Sequence, residues 1–313
     1  MPAEHTPSLM GRLPVVRGIL SAQAPLARFT WFKTGGPAEV LFQPENIADL
    51  KHFLAGLPTD VPLTVFGYAS NLLIRDGGID GVVIRLGREF STVRVEGSEI
   101  IAGAGAADLN VARAARDAGI TGLEFLSGVP GAVGGAVRMN AGAYGGGMAD
   151  ILVDAQIISR DGTEKTLSAA DLDFSYRRSG LAESDIVVSA RLLGRTGDAS
   201  AIAERMEDIQ RQRESSQPVR TMTGGSTFKN PDGHKAWELI DAAGCRGLRR
   251  GNAVVSELHC NFLVNEGGAT AADLEGLGED VRRRVEAHSG IVLEWEIRRI
   301  GRPATDALRE VKT

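Results

Sequence analysis

Nine of the 39 glycines in this 313-residue chain fall between Gly122 and Gly147. Average glycine usage is roughly 7%, so a share of one eighth is high, and the excess is concentrated locally. Glycine loses more backbone freedom on folding than any other residue. A cluster is therefore tolerated where the chain must take positive φ or let a ligand approach the main chain. The run Gly128-Val129-Pro130-Gly131-Ala132-Val133-Gly134-Gly135 is followed by Asn140-Ala141-Gly142-Ala143-Tyr144-Gly145. Such a run turns successive N–H groups toward an anion with no side chains in the way. A second loop, Gly67-Tyr68-Ala69-Ser70-Asn71-Leu72-Leu73, directly follows a predicted strand. Two phosphate-cradling loops in one region suit a dinucleotide such as FAD.

Length and composition bound the remaining possibilities. A chain of 313 residues exceeds the usual size of one hydrophobic core, so two or three domains are expected. Hydrophobic residues at 43% and charged residues at 24% are ordinary for a globular protein. The net charge of -5 is modest and both signs are mixed, which argues against nucleic acid and anionic membrane as partners. The two cysteines, Cys245 and Cys260, have no metal-ligand spacing and read as buried thiols in a reducing compartment. The first twenty residues are broken by Pro2, Pro7 and Pro14 and lack the apolar run of a signal peptide, and no stretch approaches a membrane span. The expectation is a cytoplasmic, monomeric protein.

Periodicity divides the chain into two α+β parts. In the first, strands are predicted at 39–42, 63–66 and 82–86, with a helix over 46–57. A hairpin follows around Gly97 (93–95 and 99–102), then a helix over 107–118 stopped by Gly119. Beyond the glycine-rich loop, 155–159 and 164–167 flank the turn signal Asp161-Gly162, and 186–193 is the last strand of this part. The second part opens with a helix over 198–217 ended by Pro218, then another over 235–243. Strands are expected at 254–255 and 262–264. Thr270 with Asp273 forms a capping-box signature before a helix whose Leu274, Leu277, Val281 and Val285 share a face. A final strand is predicted over 291–300, with the residues after Arg302 frayed.

Several familiar motifs fail. Gly103-Ala104-Gly105 follows a strand and precedes a helix, but the third glycine of a dinucleotide fingerprint would fall at Asp108. A carboxylate there would repel a pyrophosphate, so a tight strand-to-helix turn is the better reading. There is no P-loop and no G-x-S-x-G elbow. His259 and His288 lack partners at ligand spacing, so no metal is expected.

Six blocks in order carry a resemblance: TWFKTGGPAEVLF (30–42), GYASNLLIRDGG (67–78), GLEFLSGVPGAVGGAVRMNAGAYGG (122–146), SYRRS (175–179), GGSTFKNP (224–231) and VSELHCNFLVN (255–265). Together they resemble the UDP-N-acetylenolpyruvoylglucosamine reductase family over about residues 30–301. The resemblance implies an α+β fold: a two-part FAD-binding domain of the vanillyl-alcohol oxidase/p-cresol methylhydroxylase type and a smaller C-terminal α+β substrate domain. The expected division is an N-terminal segment 1–25, an FAD-binding domain 26–196, a substrate-binding domain 197–303 and a tail 304–313. It also implies hydride transfer from NADPH to FAD, then to the vinyl carbon of UDP-N-acetylglucosamine enolpyruvate, giving UDP-N-acetylmuramate for peptidoglycan. Another flavin-dependent oxidase of the same fold is the alternative.

The implied site residues follow from the same blocks. Arg177 matches the Tyr-Arg-x-Ser arginine, whose planar fork would hold the substrate carboxylate; without the motif, Arg178 would be an equal candidate. Ser226 matches the family's proton donor, where a bare reading would see a turn serine. Period-two alternation places Glu294 and Glu296 on one face of the predicted last strand and cannot choose between them. The family's closing pattern points to Glu296 as the catalytic carboxyl, leaving Glu294 to pair with Arg298 or Arg299. FAD contacts are implied at Gly67, Ala69, Ser70, Asn71, Leu72, Gly128, Val129, Pro130, Gly131, Gly134, Gly135, Asn140, Ala141, Gly142 and Tyr144. Substrate contacts are implied at Arg213, Gln217, Asn230 and Asn261. Ala69 stands where the family usually has glycine, which is tolerable if φ is negative there. The short 179–198 segment points to the compact branch of the family, without an inserted tyrosine-bearing loop.

Overall fold

A computed structural model describes residues 8–304; residues 1–7 and 305–313, including nearly all of the expected tail, lie outside the described residues. Compactness divides the chain into two units that interleave in sequence. One comprises residues up to 22, 40–67 and 81–212, the other 23–39, 68–80 and 213 onward. Among the described residues no helix is long and apolar enough to cross a membrane, and no group of three or more His, Cys, Asp or Glu could hold a metal ion.

The first unit is built on two sheets. One has the order Ile19–Pro25, Pro37–Gln43, Ile79–Ile84, Leu63–Val65, and its Val40, Phe42, Val82 and Ile84 share a core with the helix Ile47–Gly56. That helix starts where the Asn46 side chain accepts the Asp49 N–H at 3.0 Å, and it buries Leu50, Phe53 and Leu54 on one face. The other is a five-stranded antiparallel sheet, Glu164–Ser168, Leu152–Ile158, Ile186–Leu193, Glu99–Gly103, Val93–Glu96. It turns Ile100, Ala102, Ala155, Ile157, Val187 and Ala190 into a core shared with the helices Asp108–Asp117 and Val133–Arg138. Asp161-Gly162 makes the expected turn, with Gly162 at φ +83°.

The second unit has a four-stranded antiparallel sheet, Met222–Ser226, Phe262–Asn265, Ala253–Val255, Arg249–Arg250. The helices Ala236–Ala242 and Ala271–Ser289 share its core. The longer helix has the predicted capping box. Thr270 accepts the Asp273 N–H at 3.0 Å, and the Asp273 carboxylate accepts the Thr270 N–H at 3.0 Å. Gly290, at φ +74°, ends it. Gly278 on this helix faces Trp295, and a Cβ there would overlap the indole ring.

Several segments of the chain differ from expectation. The strand predicted over 291–300 is formed only at Arg298–Ile300, which pairs in parallel with Leu72–Ile74; within 291–297, Trp295 alone makes an isolated bridge, to Phe228. Alternation over the whole segment suggested a continuous ladder, but the partner strand is short and lies some 225 residues away. Its partner, Leu72–Ile74, is a strand where the sequence predicts a loop, and Ile19–Pro25 is a strand where the sequence predicts none.

Candidate functional site

In the first unit the glycine-rich loop rests on the turn between Glu99–Gly103 and Asp108–Asp117. Val133 and Gly134 donate their N–H groups to the carbonyls of Ala106 and Ala104 at 3.0 and 2.9 Å, and Asp108 donates to Gly131 at 3.2 Å. Ala107 bridges Ala132. The close approach explains one glycine, because a Cβ at Gly134 would stand 2.9 Å from the Ala104 Cβ. A Cβ at Gly128 would collide with the Tyr144 ring. Gly135 is different. Its φ is not positive and a Cβ there would meet nothing within 4 Å. Nothing within the protein demands glycine at that position, whereas a ligand lying against the main chain would. The loop therefore fits the FAD expected there.

The Ser175–Ser179 block approaches the same loop. Ser175 and Arg178 exchange backbone hydrogen bonds at 3.0 and 3.1 Å, a tight reversal with Arg177 at φ +56°. The Asn140 side chain donates to the Ser175 carbonyl at 3.1 Å, the Ser179 hydroxyl to the Arg138 carbonyl at 2.9 Å, and the Arg177 guanidinium to the Gly142 carbonyl at 3.3 Å. The Arg177 guanidinium thus stands at Gly142, and Asn140 holds the same block to the loop, while the main chain of Arg178 closes the reversal.

In the second unit, Ser226 ends its strand just after Gly225 at φ +81°. The next residues lie against the chain around Glu296: Glu296 donates its N–H to the Thr227 carbonyl at 2.8 Å, and Lys229 donates to the Glu294 carbonyl at 2.9 Å. Asn71 joins them, its amide reaching the Glu296 carbonyl at 3.3 Å while its own carbonyl accepts from Arg298 at 3.1 Å. Ser226, Glu296 and Asn71 therefore share one small framework. Glu294 pairs with Lys229 at 3.0 Å rather than with Arg298 or Arg299; Arg299 instead pairs with Glu275 and Glu279 on the long helix. The side chain of Asn261 is fully engaged, accepting the Phe228 N–H at 3.0 Å and donating to the Phe228 carbonyl at 2.8 Å. Asn230 accepts the Ala236 N–H at 3.0 Å and caps the following helix. Arg213 and Gln217 sit at the end of the helix Ala199–Ser216, where Gln217 donates its N–H to the Arg213 carbonyl at 2.9 Å. The bracing done by Asn71 and Asn261 has no sequence signal beyond the motifs themselves.

Backbone strain concentrates in these loops. Among the described residues, seven non-glycine residues have positive φ, and four of them are predicted site residues: Ala69, Asn140, Tyr144 and Arg177. Such conformations persist where surrounding structure imposes them, commonly at functional sites. Ala69, at φ +49°, does not meet the condition of a negative angle under which alanine would be unstrained there. A left-handed alanine costs roughly 1–2 kcal/mol, close to what a buried alanine-to-glycine change ordinarily loses in entropy and packing. Ala69→Gly is accordingly expected to shift stability by less than about 1 kcal/mol. A loss well beyond about 2 kcal/mol in urea unfolding would contradict a strained residue 69.

Two buried carboxyls of the first unit behave in opposite ways. Burial alone would raise the pKa of Asp49, but N–H donors from Arg17, Glu45 and Gly18 overcome it and hold the group below the usual carboxylate range. Asp108 is fully inaccessible, neither carboxyl oxygen has a hydrogen-bond partner, and burial pushes its pKa up to about 8. At neutral pH it is mostly uncharged, so the repulsion anticipated from the sequence is absent.

Residues 38–168 match the FAD binding domain family, and residues 217–300 match the family described as UDP-N-acetylenolpyruvoylglucosamine reductase, C-terminal domain. The UDP-N-acetylenolpyruvoylglucosamine reductase of Parvibaculum lavamentivorans is 58% identical over 301 residues, 96% of this chain and 97% of that protein. The chain belongs to the UDP-N-acetylenolpyruvoylglucosamine reductase family. The reductase of Paramagnetospirillum magneticum is 60% identical over 289 residues, 92% of this chain and 94% of its own length. The crystal structure of the Thermus caldophilus reductase superimposes with a TM-score of 0.80 at 38% identity, covering 92% of this chain and 100% of that one. An α+β flavoenzyme with an FAD-binding domain followed by the reductase family's C-terminal domain is thereby established.

Proposed function

We propose that this enzyme reduces UDP-N-acetylglucosamine enolpyruvate to UDP-N-acetylmuramate in peptidoglycan precursor synthesis, with NADPH as hydride donor. The observation that carries the reading is the pairing, in one chain, of an FAD-binding domain with the reductase family's C-terminal domain at 58% identity to a full-length relative. Bound FAD supplies the hydride carrier between NADPH and the vinyl carbon of the substrate. We assign FAD binding to residues 26–196 and substrate binding to residues 197–303, a functional division that differs from the interleaved compact units.

The protein's task is to stabilise the charge that builds on the substrate carboxylate and to deliver a proton to the adjacent carbon. Arg177 meets the first need, its guanidinium offering a two-pronged donor to the carboxylate. Ser226 is the proton donor. Its hydroxyl stands on a rigid support, since Thr227 donates its N–H to the Asn261 carbonyl at 2.7 Å and accepts from Glu296. Glu296 is the acid beside the developing enolate. Its main chain is held by Thr227 and by Asn71, both of whose own positions are fixed by the 67–72 loop and the 226–228 segment. The loops that include Gly67, Ser70, Leu72, Gly128, Val129, Pro130, Gly131 and Gly135 receive FAD. Arg213, Gln217 and Asn230 contact the nucleotide sugar, and Asn261 serves the same end by fixing Phe228 between Ser226 and Asn230. Two buried free thiols, Cys245 and Cys260, suit a reducing cytoplasm, and we take the chain to act as a monomer.

Mixing the holoprotein anaerobically with NADPH should bleach the flavin spectrum, and UDP-N-acetylglucosamine enolpyruvate should then restore it. Recovery only on admitting oxygen would favour an oxidase and overturn the proposal.

A further inference from the structure

Asp108 lies directly behind the glycine-rich loop. The segment 104–108 and the loop residues 131–134 are joined by three backbone hydrogen bonds, one of them from Asp108 itself to Gly131 at 3.2 Å, and by the Ala107–Ala132 bridge. The carboxyl is completely shielded from solvent and neither oxygen has a donor or acceptor. A buried polar group is ordinarily satisfied, and one left bare in native structure calls for a reason. Stability supplies none here, because an apolar residue in that position would avoid the desolvation cost altogether.

We propose that Asp108 is a positioning residue for the cofactor loop whose carboxyl must carry its proton for FAD to bind, so that FAD binding and proton uptake at Asp108 are coupled. This rests on the reading that residues 128–135 hold FAD. A neutral acid behind the loop adds no charge to the cradle, whereas an ionised one places a buried negative charge behind a loop that is to receive a diphosphate. Little screening separates them in a dry interior. The proton balance is simple: above the free protein's titration point, each FAD bound takes up one proton, which ends on an Asp108 oxygen.

The other charged groups around the helix Asp108–Asp117 are committed elsewhere. Glu124 accepts from Thr121 and Gly122, Glu99 pairs with Arg191, Arg94 with Glu96, and Arg116 with Asp117. Arg138 donates to the carbonyls of Ala182 and Asp185, and Arg113 lies on the helix itself. Burial is the one cause that raises Asp108, to about 8. The group therefore holds its proton below that pH and loses it above, and affinity for FAD is level below about pH 8 and declines above it.

The test is titration of the flavin-free full chain with FAD between pH 6.5 and 9.5, followed by flavin fluorescence, for the native protein, Asp108→Asn and Gly135→Val. The native dissociation constant should rise above about pH 8, by up to about tenfold per pH unit for one linked proton. That of Asp108→Asn should stay level, with circular dichroism confirming that the variant is folded. A level native profile, or the same rise in both proteins, would overturn the proposal. The native profile stands even if the asparagine variant fails to fold. Gly135→Val, which fills the open space beside the loop, separates the two claims. Native-like FAD affinity in it would remove the loop reading and the proposal with it. Weakened affinity at every pH together with a level native profile would remove the Asp108 coupling alone.

Discussion

Ser226→Ala should leave reduction of the enzyme's flavin by NADPH near its native rate and slow reoxidation by the enolpyruvyl substrate about 10²–10⁴-fold, the usual worth of a positioned general acid. The two half-reactions respond differently because only the second requires a proton at carbon. The substitution also leaves the surrounding backbone intact. The bonds from Thr227 to Asn261 and from Glu296 to Thr227 are main-chain bonds, and none involves the Ser226 hydroxyl. Removing that oxygen therefore deletes a proton donor without releasing the segment that carries it. Stopped-flow absorbance under anaerobic conditions reads both steps, and reoxidation at a near-native rate would end the assignment of Ser226 as donor.

Asp108→Asn should change how stability depends on pH. The folded-state pKa of about 8 lies well above the usual carboxylate value of 3.8. Between those limits the folded chain holds a proton that the unfolded chain has released, so rising pH favours unfolding. The stability associated with this group is fully present below about pH 4, falls as pH rises, and levels off above about pH 8. At about 1.4 kcal/mol per pH unit, the native protein should lose roughly 4 kcal/mol relative to Asp108→Asn between pH 5 and pH 8. Comparing the two proteins cancels the titration of every other group, His259 included, whose burial lowers its own pKa. The measurement is urea unfolding of the flavin-free proteins across that range. A difference in unfolding free energy that does not vary with pH would show that Asp108 is ionised in the folded chain.

Most elements of this fold were legible because their signals are local. Gly119 and Thr270 with Asp273 mark helix ends by capping chemistry that needs no distant partner, and each does so in the structure. The strand Ile186–Leu193 matches its predicted bounds because Ile186, Val188, Ala190 and Leu192 form an apolar face in the central strand of its sheet. Leu72–Ile74 and the extent of the last strand were misjudged because the two paired segments are three residues long and each exists through the other. The site was legible in its motifs but not in its supports. Nothing in the composition says that Asn71 and Asn261 brace backbone, or that Asp108 stands bare behind the loop. Those facts belong to pairings across tens to hundreds of residues.

The interleaving of the two compact units bears on how the chain can be made and cut. Residues 23–39 and 68–80 belong with residues after 213, so they leave the ribosome long before the body they join has been synthesised. Domains that are continuous in sequence can fold in the order of translation. This second unit must instead wait for nearly the whole chain and then close long loops onto its early segments. For the same reason a fragment beginning at residue 213 would lack Asn71 and the Leu72–Ile74 strand that pairs with Arg298–Ile300. The boundary that serves a gene-fusion or truncation experiment is therefore not found at any single peptide bond.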